Sequence, residues 1–151
     1  MTEFEDRLFD LQEETRYPVR MMILSQLVDD DGQAHYTKHA HRAMLERTER
    51  GVVLDSDEEQ DGERLHLTLT CEPGKATMKR KGEVCALLHF EEGKRVEGRY
   101  ITAYGDIHIA TDTRFVRLST QPQGGKLTLN YAVYAGGDKT SDAQLEIQWR
   151  R

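Results

Sequence analysis

Four polar residues lie where an alternating strand pattern would direct them toward the interior of a sheet: Arg80, Tyr104, Thr111 and Tyr131. Arg80, Thr111 and Tyr131 share the strand phase of the apolar residues two and four positions before them, and Tyr104 shares the phase of Tyr100. A guanidinium can bind a carboxylate or phosphate through two hydrogen bonds, and tyrosine hydroxyls can add donors. The four residues therefore predict an anion-binding group inside the sheet.

Two clusters have the residue types of a metal site but not its spacing. Asp29-Asp-Asp-Gly32 does not continue into the oxygen ligands, spread over roughly twelve residues, that a calcium loop needs, so it predicts a hairpin turn. His39 and His41 are two apart and could share a metal on a strand, with His35 on the same face. No third ligand follows at a recognisable spacing. We therefore expect neither a metal nor a cofactor.

Catalytic nucleophiles and reactive thiols are not indicated. The serines Ser25, Ser56, Ser119 and Ser141 have no elbow motif and no adjacent base, so we expect the protein not to be an enzyme. A triad assembled by folding would leave no trace in the sequence. Cys71 and Cys85 fall in opposite phases of their strands, which favours free thiols over a disulfide.

The elements that position these residues are short alternating strands. The clearest are Leu65–Cys71, Asp106–Ala110 and Lys126–Tyr131, and turn signals separate them from further strands at short spacing. Hairpin-length links make sequence neighbours into spatial neighbours, and a sheet of this many strands tends to close through its own twist. The sequence predicts an all-β, antiparallel up-and-down barrel of the calycin or lipocalin kind, with about 8–10 strands.

Several segments are less regular. Val19–Val28 predicts a strand, but the polar stretch from Gln33 to Thr48 is compatible with a strand or with a helix from Thr37 onward. The acidic tract Asp55–Gly62 predicts a charged loop. Arg114–Thr120 predicts a strand separate from Asp106–Ala110.

The chain divides into an acidic extension, residues 1–16, and a single barrel domain, residues 17–151. Thr2 and Glu5 fit a capping box, and Phe4, Leu8 and Leu11 recur at helical spacing, so the extension predicts a short N-terminal helix. This helix could act as a lid or a partner-docking segment. Alternatively, the segment is a solvated extension, since a short isolated helix is marginal without packing.

Composition limits the partners. The formal net charge is -6, and the basic residues are scattered among acids, so we expect no nucleic-acid partner. The amino terminus has neither a basic start nor a long apolar run, so we expect no export, no membrane association and a cytoplasmic protein.

Several motifs resemble a known family. They are Met78-Lys-Arg-Lys-Gly82, Phe90, Arg99–Gly105, Ile109–Thr111 and Gly125–Tyr131. Together they are similar to the YwiB-like family of uncharacterised bacterial proteins, over about Tyr17 to Trp149. The resemblance implies a calycin-like β-barrel and brings no established activity. The chain departs from the family at Ala43, where a Gly is usual, and at Asp57, where a Tyr precedes the Glu pair.

Two functions compete on these observations. The first is a non-catalytic cytoplasmic barrel that binds a small apolar or amphiphilic anionic ligand, with Arg80 and Tyr131 as polar anchors. The second is a protein-interaction module that forms a homodimer, its lumen filled by side chains and Arg80 paired with Glu58 or Glu59. A lumen with room for a ligand would favour the first.

Overall fold

The structure is a computed structural model that describes residues 15–60 and 62–151. In this part of the chain every regular element is a β-strand. The ten strands are β1 Arg16–Asp29, β2 Ala34–Arg47, β3 Val52–Gln60, β4 Glu63–Glu72, β5 Lys75–Lys81, β6 Cys85–Glu91, β7 Arg95–Thr102, β8 Gly105–Gln121, β9 Gly124–Ala135 and β10 Asp138–Arg150.

The strands form one closed antiparallel barrel. Each strand pairs with its neighbours in sequence, and β1 pairs with β10 to complete the ring. The predicted all-β up-and-down barrel is confirmed. The predicted N-terminal helix falls in residues 1–14 and lies outside the described residues. No helix long and apolar enough to span a bilayer occurs in the part of the chain that the structure describes.

One predicted loop is wrong. The acidic tract belongs mostly to β3, where Asp55 and Asp57 face outward and Ser56 is buried. Its inward positions carry Ser56 and Glu58 rather than apolar residues, so the alternation that identifies a strand was missing.

Two ambiguous segments are also strands. β2 is extended throughout, although its first half is exposed and polar. The two strands predicted on either side of Asp112 are one long strand, β8, with an irregular register between Thr113 and Phe115. Such a bulge shifts the side-chain phase by one residue, which makes one strand look like two in the sequence.

Apolar side chains fill the core of the barrel. Those that are almost completely buried include Leu45, Leu54, Phe90, Leu127, Leu129 and Ile147. Cys71 lies in this core as a free thiol, and burial raises its pKa to about 12. Cys85 is also free, as predicted.

The ladder between β2 and β3 is short, with four residue pairs against three between β6 and β7. Only Met44–Arg47 of β2 pair with β3, opposite Val52–Asp55. Over residues 34–41, β2 pairs with β1 on one side, but its other edge, which faces β3, has no strand partner among the described residues. Ser56 bridges the start of this opening, because its hydroxyl donates a hydrogen bond to the Arg42 carbonyl at 2.9 Å.

Candidate functional site

A row of inward residues crosses three neighbouring strands near one end of the barrel. In register, Arg80 of β5 lies opposite Ala86 of β6, and Ala86 lies opposite Tyr100 of β7. Ala86 is buried and small, so it leaves space between the two longer side chains. The row continues to Ile107 of β8, which is 49% exposed and forms an apolar edge beside Tyr100.

Electrostatic effects connect Arg80 with two tyrosines. Burial raises the pKa of Tyr100, and the positive charge of Arg80 opposes that shift. Burial also raises the pKa of Tyr131 to about 12, with a smaller contribution from Tyr100. The Tyr131 ring packs against Phe90 with the ring centroids 4.7 Å apart. Arg80, Tyr100 and Tyr131 therefore face one region above the filled core.

The polar atoms of this region lack partners. Neither tyrosine hydroxyl nor the Arg80 guanidinium forms a hydrogen bond or ion pair with a described residue. Thr113 of β8 lies directly opposite Tyr131 and is 1% exposed, and its hydroxyl also has no partner. A buried polar group without a partner is costly, so a ligand or water that reached this hydroxyl would be favoured. We call Arg80, Tyr100 and Tyr131 the mouth cluster. Thr113 lies outside it, because its backbone pairs with Gly93 and Lys94 at the β6–β7 turn, the opposite end of β6 from Ala86.

The structure places the four predicted residues in different surroundings. Arg80 and Tyr131 belong to the mouth cluster. Thr111 is buried, but its hydroxyl donates to the carbonyl of His89 and, at 3.5 Å, lies near that of Val96, so it links β6 and β7. Tyr104 is fully exposed on the turn between β7 and β8 and does not face the interior.

Sequence reasoning missed Thr113 and gave Tyr100 only a supporting role. Thr113 directly precedes the irregular register of β8, in the gap between the two strands that the sequence predicted. Tyr100 faces inward and its neighbours Arg99 and Ile101 face outward. Because β7 has few apolar residues, its sequence does not show which positions face inward. The register of β7 with β6 would have identified it.

The histidines and aspartates form separate polar contacts. The rings of His39 and His41 lie with their centroids 6.0 Å apart on the inner face of β2. His41 Nδ1 contacts the Glu58 carboxylate, while burial and the neighbouring His39 lower the pKa of His41. Asp29 accepts hydrogen bonds from the backbone N–H groups of Asp31 and Gln33, as its predicted turn requires.

The fold and the mouth cluster define a class: a small closed β-barrel with a filled lower core and polar groups at one end of its interior. Residues 23–147 match the family described as "Domain of unknown function (DUF1934)", and the chain belongs to that family.

The relatives agree with this assignment. The chain is 19% identical over 122 residues to a Bacillus subtilis (strain 168) protein named "Uncharacterized beta-barrel protein YwiB", which covers 81% of this chain and 85% of that protein. The crystal structure of the Bacillus subtilis ywiB protein superposes with a TM-score of 0.79 at 18% identity, covering 91% of this chain and 93% of the other. This likeness confirms the fold and the predicted resemblance to the YwiB-like family.

Proposed function

We propose that the protein is a non-catalytic binding barrel and that its ligand is a small amphiphilic anion held by the mouth cluster. The main support is the convergence of Arg80, Tyr100 and Tyr131 beside the apolar surface of Phe90 and Met78. Their polar side-chain atoms form no hydrogen bond or ion pair with a described residue. A ligand with a carboxylate or phosphate head and a short apolar tail has matching chemistry.

Each part of the cluster would contribute a different interaction. Arg80 is exposed at the end of β5 and can give two hydrogen bonds to an anionic head group. Because the pKa values of Tyr100 and Tyr131 are raised, both phenols stay protonated and remain hydrogen-bond donors at neutral pH. Because Phe90 and the side chains around it fill the core, the ligand should have a short tail that lies at the mouth and not deep in the lumen.

Native mass spectrometry of the protein purified from cells tests this function. We expect a bound small molecule on the wild type that is lost from Arg80→Ala and weakened in Tyr131→Phe. The matched control is Arg99→Ala, which removes the same charge from the outer face of β7, two strands away, where Arg99 lies 3.8 Å from Asp106. Butyrate, whose tail is short, serves as a defined probe, with an expected loss of affinity of about tenfold in Arg80→Ala. A wild-type protein that carries no adduct and does not bind butyrate would contradict the proposal.

A second candidate function is a protein-interaction module. It is favoured by the unpaired edge of β2, residues 34–41, whose backbone N–H and C=O groups can accept another strand. Tyr36 on this strand is 73% exposed. In this case a second copy of the chain would be the partner, and the oligomeric state distinguishes the two functions.

A further inference from the structure

The outer face of the barrel wall carries three arginines in one row. In register, Arg42 of β2 lies directly opposite Arg20 of β1, and Arg20 lies directly opposite Arg150 of β10. All three are exposed. Adjacent strands are about 4.8 Å apart, so the backbone places the three side chains within a span of about 10 Å. We call these three residues the arginine row.

Several other basic residues on the strands have acidic partners. Arg95 lies 3.6 Å from Asp112, and Lys126 lies 3.3 Å from Glu146. In contrast, no guanidinium group of the arginine row forms an ion pair or hydrogen bond with a residue in 15–60 or 62–151. Like charges placed directly opposite each other on a sheet are destabilising. The row is therefore an unfavourable arrangement unless an anion neutralises it.

The arginine row borders an open cleft of about 1060 Å³. Gly124 lies opposite Arg150 in register, so no side chain covers the sheet beside that arginine. Met22 and Ala40 line the cleft next to the row. Among the described residues that line it, the carboxylate is that of Glu58, which contacts His41.

We propose that the arginine row binds a small ligand that carries a phosphate or diphosphate group. Guanidinium groups match phosphate oxygens with paired, charge-assisted hydrogen bonds, and three of them suit an anion with more than one negative charge. The row lies on the outer face of β2, β1 and β10, whereas the mouth cluster lies on the inner face of other strands. This site is thus independent of the proposed function of the interior.

Isothermal titration calorimetry with sodium pyrophosphate, at constant ionic strength, tests the site. We expect wild-type protein to bind pyrophosphate and Arg20→Gln to lose at least about tenfold in affinity, because Arg20 lies between the other two arginines in the row. Arg20→Lys keeps the charge but not the fork, and its affinity should fall between the two. Glycerol phosphate in a parallel titration separates a phosphate monoester from a free diphosphate as the preferred form.

Two controls keep the test specific. Arg99→Gln removes the same charge from an arginine that faces Asp106, and it should leave pyrophosphate binding unchanged. Pyrophosphate should also raise the melting temperature of the wild type and of Arg80→Ala, but not that of Arg20→Gln. Binding that is absent from the wild type, or that falls equally in Arg99→Gln and Arg20→Gln, would overturn the proposal.

Discussion

At the scale of single residues, the contact between Gly125 and Trp149 fixes how β9 and β10 pack. A Cβ atom at Gly125 would lie 2.3 Å from Trp149 Cζ2 and 2.7 Å from the Ser119 carbonyl oxygen. Trp149 is buried, so its ring has little freedom to move away. The glycine is required by this close approach and not by an unusual backbone conformation.

Gly125→Ala should therefore destabilise the protein by about 1–3 kcal/mol through overpacking. Urea denaturation measures the change in the free energy of unfolding. Trp149→Phe provides a coupled control, because a smaller ring makes room for the added methyl group. We expect the double variant to be more stable than the sum of the single effects predicts. Strictly additive effects would show that the ring does not oppose the new side chain.

At the scale of elements, the β3–β4 hairpin is stabilised on its outer face by a histidine between two aspartates. His66 Nδ1 lies 2.6 Å from Asp57 Oδ1, and His66 Nε2 lies 3.3 Å from Asp55 Oδ1. Asp55 also accepts a hydrogen bond from the Thr68 hydroxyl at 2.8 Å. These contacts explain how an acidic tract is accommodated in a strand.

The pKa of His66 is raised above its usual value, chiefly by its hydrogen bond to Asp57. A histidine whose pKa is raised by folding stabilises the protein below its unfolded pKa of about 6.5, and this contribution disappears as the pH rises through the folded pKa. Because His66 is partly exposed, the effect is that of a surface pair, at most about 1 kcal/mol.

An NMR titration of the His66 ring measures this directly. Asp57→Asn should return the pKa toward about 6.5, and Asp55→Asn should lower it by less, because its contacts contribute less to the shift. The stability difference between wild type and Asp57→Asn should be larger at pH 5.5 than at pH 9. If the His66 pKa in both variants equals the wild-type value, the two aspartates do not stabilise the hairpin in this way.

At the scale of the whole molecule, alternating apolar residues were sufficient to predict the barrel and the phase of most inward residues. Leu127, Leu129 and Tyr131 face inward as their spacing indicates. The alternation of apolar residues did not reveal the strand where inward positions are polar, as in β3. It also did not reveal the continuous strand where a bulge shifts the side-chain phase, as next to Thr113. The arginine row could not be predicted, because cross-strand register between β2, β1 and β10 depends on closure of the ring.

The ring is closed, but the edge of β2 that faces β3 is unpaired over residues 34–41, and this edge bears on the assembly of the whole molecule. If the interaction module is the function, the free edge of β2 should pair with a second copy, and the protein should be a dimer at micromolar concentration. Tyr36→Lys adds a positive charge to this edge, close to Lys38, and should weaken a symmetric dimer by about tenfold or more.

Tyr104→Lys is the matched control, because it changes an equally accessible tyrosine on the β7–β8 turn, away from the β2 edge. Sedimentation equilibrium measures both variants against the wild type. Dimerisation lost in Tyr36→Lys and kept in Tyr104→Lys would assign the interface to β2, since one added lysine changes the net charge equally in the two proteins. A wild type that stays monomeric at high concentration would exclude the interaction module as a self-assembling unit and leave the mouth cluster as the basis of function.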